Sequence, residues 1–147
     1  ILSLSAFCGT TSWRNDTMTT ENRWLLPEGI EELLPERASQ LEALRRRLLD
    51  QCGTWGYRYV IPPLVEFTDS LLIGLGADLD VVTCKFTDQM SGRMLGVRAD
   101  ITPQAARMDA HSLAENGVTR LCYAGSTLQS TPQSVIGGRA PIQLGAE

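Results

Sequence analysis

The chain has 147 residues, of which 43% are hydrophobic and 20% charged, a composition typical of a globular domain that can bury a core. Its formal net charge is -4, which argues against a large phosphate-binding face because surfaces that bind nucleic acid are usually basic. No apolar run approaches the roughly 20 residues that a membrane-spanning helix requires.

The first 17 residues precede any regular pattern of apolar positions. Residues 1–8 are apolar, but they are too short and lack the basic start of a secretory signal. Met18 comes just before the first patterned sequence and is the natural start. We therefore expect residues 1–17 to be an unstructured or non-native leader, and residues 18–147 to belong to one folded domain.

A long amphipathic helix is predicted after Glu36. Its apolar positions recur every three or four residues, at Ala38, Leu41, Leu44, Leu48, Cys52 and Trp55. Two glycines, Gly53 and Gly56, end it. Residues 57–61 then alternate as in a β-strand, which two consecutive prolines at positions 62 and 63 terminate.

A short helix is predicted at residues 68–75, followed by a glycine-rich acidic loop that runs through Asp80. Residues 82–87 and 94–97 are both strand-like. The polar, glycine-containing segment 88–93 between them is typical of a turn, so the three segments predict a β-hairpin.

The second long helix begins with Thr102 as its N-cap and Pro103 at its first helical position. It is predicted to run to about Glu115 and to end at the Asn116–Gly117 pair. Two more strands are predicted, at residues 118–128 and from Ile142 to the chain end, with a loop at residues 130–141. This order of elements predicts an α+β fold with a mainly antiparallel sheet.

The sequence offers few residues for metal or nucleophilic chemistry. Its four cysteines are far apart, at positions 8, 52, 84 and 122, and His111 is the single histidine. This set lacks the spacing of a zinc site, and His111 is expected to have a structural role. No phosphate-binding glycine loop or nucleophile elbow occurs, so no cofactor is predicted. Scattered free thiols suit a reducing cytoplasm.

Three segments resemble the catalytic domain of histidyl-tRNA synthetases, which have the class II synthetase fold. They are residues 56–66, residues 86–88 with 92–102, and residues 123–125 with 143–147. The first is similar to the family's motif 1, a helix and strand ending in proline that builds the dimer interface, here at Pro63. The second is similar to a segment that contacts bound histidine, and the third lies at the place of motif 2. Their order and spacing extend the resemblance from about Trp24 to the chain end.

The sequence departs from the synthetases at two positions of motif 2. Gln129 and Thr131 stand where that family has an arginine that holds the ATP α-phosphate and a glutamate that contacts adenine. A neutral amide cannot supply the bidentate positive charge that stabilises a transition state at phosphorus. The resemblance therefore implies that the half of the site responsible for adenylation is lost.

The half of the site that binds the amino acid is retained. Asp100 is a carboxylate where the synthetases have glutamate, and three further residues match those that hold histidine in that family, namely Thr102, Gln143 and Glu147. A histidine pocket without an ATP clamp resembles the regulatory subunit of ATP phosphoribosyltransferase. The amino-acid sequences of residues 24–31 and 121–125 also look closer to that family than to true synthetases.

The resemblance implies a non-catalytic protein that supports the first step of histidine biosynthesis. Its implied partners are the short form of the ATP phosphoribosyltransferase catalytic subunit, a second copy of itself bound through the Pro63 segment, and L-histidine as a ligand. Feedback inhibition by histidine would fit these partners, whereas tRNA binding, membrane association and a cofactor are not expected. The chain would then be the N-terminal part of a truncated class II core.

Simpler interpretations of the same residues remain open. Asp100 could serve only as a carboxylate before a helix N-terminus. Gln143 and Glu147 lie four apart in a predicted strand and could form an ordinary polar face. Arg98 and Arg107 are expected to form ion pairs or to pack, and the Arg45–Arg47 run is expected to be a solvated helix face.

Two other functional hypotheses also remain. The chain could belong to a divergent histidyl-tRNA synthetase, which would need the third class II motif and an anticodon-binding domain after Glu147. It could also be a truncated reading frame without a function.

Overall fold

The computed structural model describes residues 24–72, 77–113, 116–132 and 138–147, so the expected boundary at residues 17 and 18 lies outside the described residues. The helices are α1 (Pro35–Thr54), α2 (Thr68–Leu71), α3 (Ala77–Val82) and α4 (Thr102–Arg107), and α4 continues as a π-helical segment, Met108–Leu113. The strands are β1 (Arg58–Tyr59), β2 (Val65–Phe67), β3 (Cys84–Thr87), β4 (Met94–Val97), β5 (Leu121–Ser126) and β6 (Ile142–Ala146). None of the described helices is both long enough and apolar enough to cross a membrane.

Helix α1 confirms the predicted helix, but none of its residues is buried, and Leu44 and Leu48 of the predicted apolar face are 51% and 41% exposed. Pro35 occupies its first turn, where the missing N–H costs no helical hydrogen bond, and Gly56 follows its end with a φ of 79°. Arg45 and Arg46 both bond Glu42 at 2.7 Å, so the basic run is partly neutralised along the helix, as expected for a solvated face. The hydrogen bonds from Arg45 and then Arg46 lower the pKa of Glu42 to about 2.

The strands form two three-stranded sheets. In the first, of order β1-β5-β6, β1 runs parallel to β5 and β6 runs antiparallel to it. In the second, of order β2-β4-β3, both pairs are antiparallel. The predicted hairpin is the β3–β4 pair, and Asp88 stabilises its turn by accepting hydrogen bonds from the backbone N–H groups of Met90 and Ser91. The α+β class with mainly antiparallel pairing is confirmed.

One predicted loop is a helix. Residues 77–82 form α3, so the loop prediction through Asp80 was wrong and Val82 belongs to a helix rather than to the hairpin. The Thr83 hydroxyl donates to the Leu79 carbonyl at 2.6 Å, which extends the helical turn, and Lys85 pairs with Asp80 at 2.6 Å. Neither contact produces a periodic apolar pattern, so this helix could not be predicted from apolar spacing.

The N-cap prediction for Thr102 was also wrong. Thr102 is the first residue of α4, and the cap position belongs to Ile101, which makes no side-chain cap bond. The Thr102 backbone N–H donates instead to Asp100 Oδ1 at 3.0 Å. The Asp100 side chain therefore accepts a hydrogen bond from a backbone N–H of the first turn that has no partner within the helix. The Thr102 hydroxyl is left free to bond another group.

Other predicted elements are shorter than expected. Strand β5 covers only part of residues 118–128, because Val118 is 85% exposed and lies outside the paired register. Strand β1 is two residues long within the predicted 57–61 strand. The helices predicted at 68–75 and 102–115 end as α-helix at Leu71 and Arg107, and residues 73–76 and 114–115 are not described.

The best-buried apolar cluster lies between α4 and β5. Ile101, Ala105 and Tyr123 are each no more than 2% exposed, and Val60 packs against them. Arg98 crosses beside this cluster, where its Nε donates to the Ser126 carbonyl at 2.8 Å and its Nη1 to the Pro62 carbonyl at 2.7 Å. The cluster thereby holds the start of α4 against the first sheet.

Candidate functional site

Asp100 and Gln143 are joined directly, although 43 positions separate them. The Gln143 amide N–H donates to Asp100 Oδ1 at 2.6 Å, and its amide oxygen accepts from the Ile101 backbone N–H at 2.8 Å. Strand β6 thus holds the Asp100 carboxylate just before the N-terminus of α4. Both hydrogen bonds to the Asp100 side chain fall on Oδ1, and among the described residues Oδ2 has no bonded partner.

Thr102 and Glu147 are connected through Tyr123. The Tyr123 hydroxyl donates to Glu147 Oε1 at 3.1 Å and lies 2.6 Å from Thr102 Oγ1. Because the single phenolic hydrogen points to the carboxylate, the Thr102 hydroxyl is the donor in the second contact. The oxygen of Thr102 keeps acceptor capacity, and so does the second oxygen of Glu147.

The structure therefore links the four residues predicted to bind histidine through hydrogen bonds, with Tyr123 as a fifth member. We call this set the acidic network: Asp100, Thr102, Tyr123, Gln143 and Glu147. Tyr123 is the member that the sequence reasoning missed. It is 2% exposed, and burial is the main cause that raises its pKa, with the Glu147 hydrogen bond adding to the shift. The only sequence signal for it was its place in the third motif-like segment.

A cavity of about 310 Å³ lies beside the acidic network. Its lining residues are Leu79, Ala99, Asp100, Thr127, Gln129, Pro141, Ile142 and Gln143. Ligand cavities in proteins usually measure about 300–1,000 Å³, so this one suits a small molecule better than a nucleotide. Asp100 is the one charged side chain among the described lining residues, which favours a ligand that carries a positive group.

The two positions that depart from the synthetase pattern differ in burial. Gln129 is 9% exposed and lines the cavity, whereas Thr131 is exposed. The backbone N–H of Gln129 donates to the Arg139 carbonyl at 2.8 Å, and its own carbonyl accepts from Arg139 Nε at 3.0 Å. Arg139 is consequently engaged by the backbone rather than presented to the cavity.

Pro63 lies away from the acidic network. It is exposed, and its carbonyl accepts from the Gln104 amide at 2.8 Å. Gln104 also donates to Glu66 Oε1 at 2.8 Å, and Arg107 Nη2 forms an ion pair with the same oxygen at 2.5 Å. The ion pairing expected of Arg107 is present, whereas Arg98 is held by backbone carbonyls.

The chemistry-bearing residues outside the acidic network do not gather into a metal site. Within the described part of the chain, no three histidine, cysteine or acidic side chains lie close enough to hold a metal ion. Cys52, Cys84 and Cys122 are free thiols, and burial raises the pKa of Cys122. His111 is exposed on the π-helical segment.

Several curated sequences similar to this chain carry the same name. An ATP phosphoribosyltransferase regulatory subunit from Teredinibacter turnerae is 62% identical over 130 residues, which cover 88% of this chain and 33% of the relative. One from Alkalilimnicola ehrlichii is 58% identical over 133 residues, covering 90% and 33%. The chain thus spans about a third of the length of these relatives.

Solved structures agree with this resemblance at the level of the fold. An ATP phosphoribosyltransferase regulatory subunit/histidyl-tRNA synthetase from Bacillus halodurans is 25% identical, with a TM-score of 0.71 over 88% of this chain and 33% of its own. The histidyl-tRNA synthetase of S. aureus superposes with a TM-score of 0.64 at 21% identity, over 83% and 28% of the two chains. The family model for histidyl-tRNA synthetase matches residues 29–147. The chain belongs to the histidyl-tRNA synthetase family.

Proposed function

We propose that this protein is a non-catalytic regulatory subunit of ATP phosphoribosyltransferase and that it binds L-histidine at the acidic network. The observation that carries the proposal is the hydrogen-bonded network that joins Asp100, Thr102, Gln143 and Glu147, of which Asp100 and Gln143 line a cavity of about 310 Å³. The name shared by relatives at 58–62% identity supports the regulatory role.

The free acceptor atoms of the acidic network match the ionised groups of histidine. Asp100 Oδ2 and Thr102 Oγ1 can both accept from an ammonium group, and the second oxygen of Glu147 can accept from an imidazole N–H. Each hydrogen bond to a charged group contributes about 1.5–3 kcal/mol. Two such bonds contribute about 3–6 kcal/mol, which before the cost of immobilising the ligand corresponds to an affinity of roughly tens of micromolar to several millimolar.

The loss of adenylation activity is part of the same proposal. Gln129 cannot place a positive charge on a phosphate, and the exposed Thr131 offers a hydroxyl where a carboxylate would contact adenine. A missing transition-state donor typically costs about 10²–10³ in rate, so the loss of both groups would abolish useful turnover.

The proposed partner is a catalytic subunit of ATP phosphoribosyltransferase that lacks its own regulatory domain. We expect the two proteins to associate in the cytoplasm, and we expect no tRNA to bind. A second copy of the protein would bind through the segment around Pro63, where Ile61 is 75% exposed and Leu64 is 50% exposed. Leu64→Asp should then dissociate the dimer in sedimentation experiments. Met90→Asp, at a fully exposed hairpin turn, is the matched control and should leave the dimer intact.

Calorimetry tests the histidine site directly. The protein expressed from its complete reading frame is titrated with L-histidine, beside Asp100→Asn and Glu147→Gln. Each variant should bind at least tenfold more weakly, because it replaces a charged acceptor by a neutral one. Asp109→Asn, an exposed carboxylate on the π-helical segment, should bind as the wild type does. Unchanged binding by both site variants would place the histidine sensor elsewhere.

A divergent histidyl-tRNA synthetase is the alternative, favoured by the family match over residues 29–147. Histidine-dependent exchange between ATP and pyrophosphate separates the two functions. We expect no exchange above background from the protein of the complete reading frame. Exchange at a rate typical of synthetases would support the alternative.

A further inference from the structure

The cavity beside the acidic network contains a polar group that the histidine contacts described above do not use. Gln129 is 9% exposed and lines this cavity together with Asp100 and Gln143. Among the described residues, no hydrogen-bond partner meets its side-chain amide. Its amide atoms are not among the buried polar atoms that lack a partner, so they remain accessible, and a ligand in the cavity can bond them in place of water.

The position of this amide is well determined by the backbone. Residue 129 forms an isolated antiparallel bridge with Thr83, and its N–H and carbonyl are both engaged by Arg139. Leu128, the preceding residue, donates its N–H to the Arg98 carbonyl at 2.9 Å. The side chain is therefore presented to the cavity from a backbone held on two sides, rather than from a loose loop.

We propose that Gln129 recognises the α-carboxylate of the bound amino acid and thereby makes the site selective for a free amino acid. This inference rests on the proposed function. The ammonium group binds at Asp100, and the carboxylate accepts a hydrogen bond from the Gln129 amide on another wall of the same cavity. Gln129, which lacks the positive charge needed to bind a phosphate, thus recognises the carboxylate of the ligand instead.

The chemistry of the lining supports a carboxylate over a phosphate ester. Gln129 donates two N–H groups without a formal charge, and Asp100 brings a negative charge to the same cavity. A singly charged carboxylate next to its own ammonium group is nearly neutral overall, so it avoids repulsion from Asp100. A nucleotide phosphate would bring a second negative charge, and no cation stands among the described lining residues to balance it.

Two ligands that differ only in the carboxylate distinguish carboxylate recognition by Gln129 from simple packing. Histamine keeps the ammonium and imidazole groups of histidine and lacks the carboxylate. Wild-type protein from the complete reading frame should bind L-histidine about tenfold or more tightly than histamine in calorimetry. Gln129→Leu should lose about tenfold for histidine and little for histamine. Gln129→Glu, with the same shape, should repel the carboxylate and reverse the preference.

Gln89→Leu, in the exposed hairpin turn, is the matched control and should keep the wild-type preference. Circular dichroism and thermal unfolding establish that each variant is folded before its titration. An unchanged ratio of the two affinities in both Gln129 variants, or an equal loss for both ligands, would overturn the carboxylate role and leave the histidine site standing. A wild-type protein that binds neither ligand would overturn the proposed function itself.

Discussion

Tyr123 and Gly145 are directly paired across β5 and β6, and the ring of Tyr123 fills the space that a Cβ at position 145 would need. An added Cβ would collide with the phenolic oxygen and the adjoining ring atoms. The glycine therefore lets a buried aromatic ring lie flat against its cross-strand neighbour. This close approach places the Tyr123 hydroxyl between Thr102 and Glu147.

Gly145→Ala should destabilise the protein and weaken histidine binding together. Overpacking a well-packed site typically costs about 1–3 kcal/mol, and the strain here would push Tyr123 from its two partners. Urea unfolding of the protein from the complete reading frame measures the stability, and calorimetry measures the binding. Gly53→Ala is the control, because a Cβ there meets no atom within 4 Å in a helix, where alanine is favoured over glycine. Equal stability of the two variants would contradict the packing described for Tyr123.

Tyr123→Phe should retain the fold and lose affinity for histidine, since it removes only the hydroxyl that holds Thr102 and Glu147. Loss of one such link is expected to weaken binding several-fold to about tenfold. The matched control is Tyr59→Phe, whose exposed hydroxyl contacts the Ala124 carbonyl at 3.3 Å. Wild-type affinity in Tyr123→Phe would show that the hydroxyl does not position the site.

The ionisation of Tyr123 gives a separate test. Burial raises the pKa of its phenol above the usual value of about 10. The folded state then resists ionisation, so the stability that Tyr123 contributes is present below pH 10 and is lost as the pH rises through the raised pKa. The tyrosinate absorbance that disappears in Tyr123→Phe should titrate above pH 10. A titration at or below pH 10 would contradict the burial of this hydroxyl.

Arg98→Ala should be strongly destabilising. The residue Arg98 is 6% exposed, and its guanidinium donates to the carbonyls of Pro62 and Ser126. Its removal therefore leaves these two backbone acceptors without that partner. Hydrogen bonds to a charged group contribute about 1.5–3 kcal/mol each, and we expect a loss of at least about 2 kcal/mol in urea unfolding. Arg46→Ala, in an exposed pair with Glu42, should cost less than about 1 kcal/mol. Similar costs for the two variants would argue against Arg98 as a structural link.

Glu66→Ala should cost more than the removal of a surface carboxylate. The Glu66 side chain is 8% exposed and accepts from both Gln104 and Arg107, so its loss leaves a partly buried cation without its carboxylate and the buried Gln104 amide with one acceptor, the Pro63 carbonyl, instead of two. We expect a loss of about 2–4 kcal/mol, somewhat below the usual cost for a fully buried pair because Arg107 is 30% exposed. Asp80→Ala, which breaks the exposed pair with Lys85, should change stability by no more than about 1 kcal/mol. Thermal unfolding of both variants provides the comparison.

Local patterns in the sequence were enough to predict much of the secondary structure. The helix at Pro35–Thr54 and the β3–β4 hairpin follow from apolar spacing and turn residues that lie within a few positions of one another. The order of the predicted helices and strands also predicted the α+β fold. Helix α3 was missed because a side-chain bond from Thr83 and an ion pair at Asp80 stabilise it, and neither produces an apolar period.

The sequence, through its resemblance to histidyl-tRNA synthetases, predicted four residues for a site that binds an amino acid, namely Asp100, Thr102, Gln143 and Glu147. Only the tertiary structure decided how they are linked, because the hydrogen bonds join residues 21 to 43 positions apart that meet when β5 and β6 pack against α4. It placed Ile101 rather than Thr102 at the cap position, paired the Thr102 backbone N–H with Asp100, and placed Tyr123 between Thr102 and Glu147 in the acidic network. Side-chain periodicity reports which face of an element is buried, whereas a hydrogen-bond partner depends on which elements the packed core brings together.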